Sequence, residues 1–172
     1  ILLYYNMKPE IESLNEITQN ELTFRLTNTP LSIANGIRRT ILSRIDTVVF
    51  ITSPHKENRS VFIKNTTRFN NEILKQRLSC IPIHIKDFDN IKNLEVHVNC
   101  ENNSKDIQWV TTEHFEIYDT LKEEYLKPKE KERIFPKNTI TGSYIDFVRL
   151  RPKISDEIHG EHIQFIAKMS VS

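Results

Sequence analysis

The segment 29–45 constrains the fold most, because it has the spacing of an amphipathic helix with a defined start. Apolar residues recur along it at helical intervals: Ile33, Ala34, Ile37, Ile41, Leu42 and Ile45. At about 100° per residue, this apolar stripe covers roughly half of the helix surface. Thr29 is suited to cap the free amides of the first turn, and Pro30 suits the first helical position, where no N–H is needed. We therefore predict a helix over residues 30–45.

Two residues of this helix are unusual for a helix that packs only within its own chain. Gly36 lies mid-helix, where glycine costs ~1 kcal/mol relative to alanine, and such a glycine often lets another backbone come close. Arg38 falls inside the apolar stripe, whereas Arg39 falls outside it. An arginine inside such a stripe either extends its charge to water or meets a partner. Two interpretations remain open: a core helix with one such arginine, and a helix that packs on another chain with Arg38 as a polar anchor.

Composition indicates a globular protein of one domain or two small ones, since the chain has 172 residues with 38% hydrophobic and 27% charged content. A formal net charge of +1 argues against a general electrostatic nucleic-acid binder. Two cysteines, Cys80 and Cys100, are too few for a disulfide framework.

With no membrane-spanning stretch or evident signal peptide, we expect an intracellular, reducing location. Glycosylation-like tripeptides at Asn58, Asn65 and Asn102 are then interpreted as coincidence.

Several strands are predicted from alternating or uninterrupted apolar residues. Leu22, Phe24 and Leu26 share one face of a strand, which we expect to be covered. The run 47–51 has no polar alternation and predicts a buried strand. One face of the last strand is lined by Ile163, Phe165, Ala167 and Met169. Further strands are expected over residues 1–5, 61–63, 94–100, 107–112, 114–118 and 144–150, and the charged segment 122–133 is expected to be a solvated loop or a frayed helix.

A second helix is predicted over residues 70–78. Asn70 or Asn71 suits its N-cap, and Glu72 is favourably placed in its first turn. Pro82 prevents the helix from continuing.

The sequence contains no recognisable catalytic, cofactor or metal site. Glycine occurs at three positions only, so no phosphate-binding glycine loop exists. His159 and His162 are spaced as in some metal sites, but no cysteine or carboxylate cluster completes four ligands. Trp109, Phe115 and Tyr118 suggest base stacking, but without a basic groove core packing is the better explanation.

Two motifs resemble the alpha-like subunits of cellular RNA polymerases, a family that includes bacterial alpha, its archaeal counterpart and the third-largest subunit of eukaryotic polymerase II. Residues 32–42, Ser-Ile-Ala-Asn-Gly-Ile-Arg-Arg-Thr-Ile-Leu, resemble the family's ANxLRRxLL helix. Residues 69–83 resemble the DExLAHRLGLIPI segment of its eukaryotic and archaeal members. Gly36 replaces the family's usual Leu or Ala, and Ser79-Cys80 replaces Gly-Leu. The metal-binding cysteine cluster of some relatives is absent.

The resemblance implies an α+β fold in which a dimerisation domain is split by an inserted β-rich domain. By analogy, residues 1–50 and 160–172 belong to the dimerisation domain, and residues 51–159 form the insert. The family continues with further strands and a long C-terminal helix. We therefore expect that the C-terminal part of the dimerisation domain is missing from this sequence.

The resemblance also implies a non-catalytic assembly-platform subunit of DNA-directed RNA polymerase, a nucleotidyltransferase complex. Its partners would be a smaller alpha-like subunit and the large catalytic subunits, with no cofactor, no membrane and little direct nucleic-acid contact. The dimer interface would comprise Ile33, Gly36, Ile37, Ile41 and Ile45. A large subunit would be contacted by Arg38, Arg39, Glu72 and Arg77. The expected location is the nucleus or cytoplasm. The absent cysteine cluster, and an abundance of Ile, Asn and Lys that suggests an A+T-rich genome, are compatible with a large-DNA-virus version. Such a version would act in a viral factory or virion.

Two alternatives come from other functional classes. One is a stand-alone protein- or nucleic-acid-interaction module without catalysis, against which the near-neutral charge argues. The other is an enzyme, for which the sequence offers no site.

Overall fold

The computed structural model describes residues 8–18, 21–85, 88–89, 91–155 and 157–172. The strand expected over residues 1–5 lies outside the described residues. The chain divides into two compact units, Ile1–Asp46 and Thr47–Ser172, which we call unit 1 and unit 2. The described residues form mostly antiparallel sheet with three α-helices, which confirms the α+β class. The split of a dimerisation domain by an insert stays a prediction.

Unit 1 contains a hairpin and one helix. Strand β1 (Glu10–Thr18) pairs antiparallel with β2 (Glu21–Thr27), and helix α1 (Leu31–Ser43) follows. The helix is shorter at both ends than predicted. Its C-cap is Arg44, so Ile45 lies beyond the helix and does not extend the helical stripe.

The predicted cap at Thr29 is wrong. Pro30 occupies the N-cap position, and its carbonyl oxygen accepts the N–H groups of Ile33 and Ala34 at 3.0 and 3.1 Å. The Thr29 hydroxyl instead donates to the carbonyl of Thr27 at 3.1 Å. Because Thr29 lies one residue before the N-cap, its side chain satisfies the preceding turn rather than the first free amides.

The prediction of a covered face on β2 is also wrong. Leu22 and Phe24 are exposed, and Leu26 is half-buried. None of the described side chains of unit 1 is buried. The alternation therefore distinguishes the two faces of the strand correctly, but this chain leaves the apolar face open to solvent.

Unit 2 is built around one long strand, β10 (His162–Val171). It pairs antiparallel along its length with three other strands, and one of these connects two more strands to the sheet. The sheet comprises β3 (Val48–Phe50), β4 (Ser60–Asn65), β5 (Leu94–Glu101), β7 (Glu116–Asp119), β8 (Glu124–Tyr125) and β10 (His162–Val171). Val48 and Phe50 are buried, which confirms the prediction of a buried strand in this region.

A small second sheet and two helices complete unit 2. The sheet pairs β6 (Gln108–Thr111) with β9 (Asp146–Leu150), and the helices are α2 (Asn71–Ser79) and α3 (Pro128–Ile134). Helix α3 lies in the charged segment expected to be a loop or frayed helix; Pro at its first position favours helix initiation there. In α2, Asn70 Oδ1 accepts the Ile73 N–H at 3.0 Å, which confirms the predicted cap.

The core of unit 2 lies on the inward face of β10. Its four predicted core residues are all fully buried: Ile163, Phe165, Ala167 and Met169. Phe115, Phe135 and Phe147 join Phe165 in an aromatic cluster, with contacting ring centroids 5.3–5.9 Å apart. Each such buried ring contributes ~1.5–3 kcal/mol through the hydrophobic effect. This cluster joins β10 to the small sheet and to the end of α3.

The three glycosylation-like tripeptides share one turn geometry. In each, the asparagine Oδ1 accepts both the backbone N–H, at 3.0–3.1 Å, and the hydroxyl, at 2.6–2.7 Å, of the Ser or Thr two residues later. These turns begin at Asn58, before β4, at Asn65, which ends β4, and at Asn102, which follows β5. In this protein, an asparagine followed two residues later by Ser or Thr therefore forms the turn next to a strand end.

Candidate assembly surface

Helix α1 presents an open apolar row. Ile33, Ile37 and Ile41 follow one another at four-residue spacing and retain exposed fractions of 46, 45 and 54%. Residues four apart on an α-helix lie on the same face, so the three isoleucines form a continuous apolar strip. Ile45 is also exposed but lies past the helix end, so its predicted interface role rests on position in the chain and not on the helical strip.

The hairpin of unit 1 adds further exposed apolar surface. Its exposed large side chains are Ile11, Leu14, Ile17, Leu22 and Phe24. A single hairpin is at best marginally stable in water, and apolar burial is the main favourable term in folding. Since no described residue of unit 1 is fully buried, the described part of the unit gains little of that term within this chain. Large exposed apolar surfaces of this kind mark interaction sites.

Gly36 has no packing reason within the chain. An added Cβ at this position would have no neighbouring atom within 4 Å, apart from the helix's own adjacent backbone. The close backbone approach that a mid-helix glycine permits is therefore not made by any described residue of this protein. The sequence-based suggestion that another chain approaches here stays a prediction.

Both arginines of the helix motif are available for contacts outside the chain. Arg38 and Arg39 are exposed, and in the described part of the chain neither guanidinium makes a hydrogen bond or ion pair. The Ser43 hydroxyl donates to the Arg39 backbone carbonyl at 2.7 Å, which involves the main chain alone. Only the helical position distinguishes the two, because Arg38 lies within the apolar arc.

The other two predicted contact residues lie on α2, in unit 2. Glu72 is exposed in the first helical turn. Arg77 has an internal role that the sequence pattern did not indicate: its Nε donates to the Phe147 carbonyl at 2.7 Å, and one terminal nitrogen donates to the Asp146 carbonyl at 3.3 Å. These bonds join α2 to β9.

A charged network lies on the outward face of the large sheet. Lys168 on β10 lies directly opposite Glu95 on β5, and Nζ contacts the Glu95 carboxylate at 2.9 Å. His97 contacts the same carboxylate at 3.4 Å. Burial alone would raise the pKa of Glu95, but the hydrogen bonds and positive charges of Lys168 and His97 outweigh it, so this pKa lies below its ordinary value.

Among the described residues, the Cys100 thiol and the possible metal ligands bear on chemical activity. Burial, with a smaller contribution from the charge of Glu116, raises the pKa of the Cys100 thiol, which disfavours the reactive thiolate. No cluster of three or more His, Cys, Asp or Glu side chains among the described residues could hold a metal ion. None of the helices in the described ranges combines the length and apolar content that a membrane span needs.

The expectation that Trp109 packs in the core is wrong. Phe115 is fully buried, as core packing requires, but Trp109 is exposed. It lines a cleft of unit 2 together with Arg68, Arg77 and Arg149. The sequence pattern missed this cluster because its four residues come from separate segments that only the folded chain brings together.

Comparison with known proteins gives one partial similarity. No family model matches the chain. The chain is 33% identical over 91 residues to the DNA-directed RNA polymerase II subunit RPB3 of Schizosaccharomyces pombe. The match covers 52% of this chain and 28% of that relative's length, so the chain corresponds to well under two thirds of the relative. This similarity supports the resemblance to alpha-like polymerase subunits that the two motifs indicate.

Proposed function

We propose that this protein is a non-catalytic assembly subunit of a DNA-directed RNA polymerase, acting in DNA-templated transcription. In this proposal, it forms a dimer with a smaller alpha-like subunit and presents polar residues to the large catalytic subunits. The partial similarity to an RNA polymerase II subunit and the two sequence motifs support the polymerase assignment. The complex supplies the nucleotidyltransferase chemistry, and this chain contributes binding surface without a cofactor.

The observation that supports an assembly role most directly is the open apolar row of α1. Ile33, Ile37 and Ile41 are each about half exposed, and unit 1 has no buried described residue. Covering such a row with a second helix would remove apolar surface from water at ~25 cal/mol per Å². The dimer surface proposed here comprises Ile33, Gly36, Ile37 and Ile41, with Ile45 at its margin.

The proposed contacts with a large subunit are polar. Arg38 and Arg39 follow from the helix motif, and both have unengaged guanidinium groups in the described structure. Glu72 and Arg77 follow from the second motif. Because Arg77 already binds two backbone carbonyls, its contribution to such a contact would come from the donors it has left.

The domain organisation and cellular setting belong to the same proposal. Residues 1–50 and 160–172 would form the dimerisation domain, with residues 51–159 as the insert. The location would be intracellular, in the compartment where the polymerase works. A viral source remains a hypothesis, since the similarity found is to a cellular polymerase subunit.

The test is co-purification from the source of the protein. A tagged chain should recover a smaller alpha-like subunit and the large polymerase subunits, identified by mass spectrometry. Ile37→Asp and Ile41→Asp together should reduce that recovery ~10-fold or more, because each would place an unpaired carboxylate in an apolar interface.

Asn35→Asp is the matched control, since it adds the same charge at an exposed position on the opposite side of α1 and should leave recovery unchanged. Circular dichroism of the purified variants checks that unit 2 remains folded. Undiminished recovery of polymerase subunits with the double variant, or recovery of none with the native chain, would contradict the proposal.

A further inference from the structure

A cleft on unit 2 combines positive charge with exposed aromatic surface. Its volume is about 400 Å³, within the range of ligand-binding clefts. Phe147 and Val148 also line the cleft but are almost completely buried, so they expose little surface in it. The exposed side chains of Phe69 and Trp109 contribute aromatic surface. The cleft lies where the loop before α2 and α2 itself meet the small sheet.

Three arginines and no carboxylate line this cleft: Arg68, Arg77 and Arg149. Arg149 lies directly opposite Trp109 in the β6–β9 pair. Arg77 is held in place by its bonds to the carbonyls of Asp146 and Phe147. Within the described ranges, the guanidinium groups of Arg68 and Arg149 make no hydrogen bond or ion pair. The cleft therefore has a local positive charge that the protein itself leaves unneutralised, although its net charge is only +1.

We propose that this cleft docks an acidic segment of a partner protein. A bulky apolar side chain of that segment would pack on Phe69 and Trp109, while flanking carboxylates pair with Arg68 and Arg149. Arginine matches carboxylates through two parallel N–H donors, and Trp and Arg are the residues most enriched at the energetic centres of protein interfaces. The cleft shares Arg77 with the proposed large-subunit contacts, but the inference requires nothing of α1, so it can hold or fail independently of the assembly proposal.

Size and charge favour a peptide over single-stranded nucleic acid. Nucleic-acid grooves follow several phosphates with positive charge and stack successive bases on aromatic rings. Here the charge is limited to three arginines around a space of about 400 Å³, which suits one or two side chains. The exposed rings of Phe69 and Trp109 also offer a packing surface for an aliphatic or aromatic side chain, which a phosphate backbone would not use.

Trp109 provides a direct readout, because it is the single tryptophan of the chain. The full chain is titrated with the peptide Glu-Asp-Leu-Phe-Glu-Asp, with its neutral counterpart Gln-Asn-Leu-Phe-Gln-Asn, and with oligothymidylate. We expect a saturable change in Trp109 fluorescence with the acidic peptide that weakens as salt increases. The neutral peptide and the oligonucleotide should bind about tenfold more weakly.

Arg68→Gln with Arg149→Gln should weaken binding of the acidic peptide about tenfold. Arg77 is left unchanged, because it also joins α2 to β9. Arg133→Gln, which removes an exposed arginine of α3 outside the cleft, should leave binding unchanged. Equal binding of the neutral peptide, tighter binding of oligothymidylate, no saturable signal, or equal loss in the Arg133 variant would each overturn the proposal.

Discussion

The side chain of Arg77 on α2 donates a 2.7 Å hydrogen bond from Nε to the backbone carbonyl oxygen of Phe147 on β9. Phe147 is itself fully buried in the aromatic cluster. One charged side chain thus connects the second sequence motif to the core of unit 2. Arg77 is consequently a stabilising residue of this fold, whatever it contacts in an assembly.

Arg77→Met is expected to lower the free energy of unfolding by ~1–3 kcal/mol, because a hydrogen bond from a charged donor is lost and a backbone carbonyl loses its partner. Urea denaturation followed by circular dichroism measures the change. Arg133→Met is the control, since Arg133 is exposed on α3, and it should alter stability by less than ~0.5 kcal/mol. Equal effects of the two substitutions would contradict the role assigned to the Arg77–Phe147 bond.

Gly36→Ala is expected to separate folding from assembly. In the free chain, alanine should favour α1 by ~1 kcal/mol, because a Cβ at this position meets no neighbour within 4 Å. In the proposed complex, the same methyl group should obstruct the close approach of a second backbone and reduce recovery of the smaller alpha-like subunit. Helix content and co-purification measure the two effects, with Asn35→Ala as the control on the opposite side of α1. Higher helix content with unchanged recovery would argue against a close approach at Gly36.

Arg38→Ala is expected to weaken assembly more than Arg39→Ala. Both guanidinium groups are free in the described structure, but Arg38 lies within the apolar arc, where a covered surface would desolvate its charge and any bond it makes. Quantitative co-purification of large polymerase subunits with each variant measures the difference. If the two variants lose equal amounts, or if Arg39→Ala loses more, the helical-position argument fails.

Acid should weaken unit 2 partly through Glu95. Its pKa in the folded chain lies below the ordinary value of 4.5, so the ionised form is favoured by folding. This stabilisation is fully present above that value and is lost as pH falls through the lowered pKa. Glu95→Gln should therefore reduce stability at neutral pH, and the difference from the native chain should shrink below pH ~4.

Urea denaturation at several pH values measures the effect of Glu95. Glu132→Gln serves as the control, because Glu132 is exposed on α3 and makes no ion pair within the described ranges. A Glu95→Gln difference that stays constant from neutral to acid pH would contradict the linkage to Lys168 and His97.

Periodicity predicted the elements of this chain better than it predicted what covers them. The four-residue spacing located α1, and the alternation of β10 identified a face that is buried throughout. For Leu22 and Phe24 the same kind of pattern predicted burial that this chain does not provide. An apolar face shows that something should cover it, but not whether the covering residues belong to the same polypeptide.

Residues that act through distant partners were the hardest to predict. Arg77 reaches a carbonyl 70 residues further along the chain, and a guanidinium–backbone bond leaves no pattern in either segment. Trp109 was expected in the core, because a large aromatic side chain in a strand pattern is usually buried. Its exposure beside Arg149 depends on how the small sheet is placed against α2, which local spacing does not report.

The Asn-x-Ser/Thr turns have a consequence for recombinant expression, because the same tripeptides are acceptors for N-linked glycosylation. In each turn the asparagine Nδ2 already donates to a backbone carbonyl, and Asn102 is completely enclosed. An oligosaccharide attached to that nitrogen during translocation would replace one of its two hydrogens and occupy space that the folded strand ends require. Asn102 uses both hydrogens, toward the carbonyls of Asp106 and Leu150, so one of these bonds would be lost. We therefore expect a glycosylating secretory host to yield misfolded material, and cytosolic synthesis to leave all three strand ends able to close.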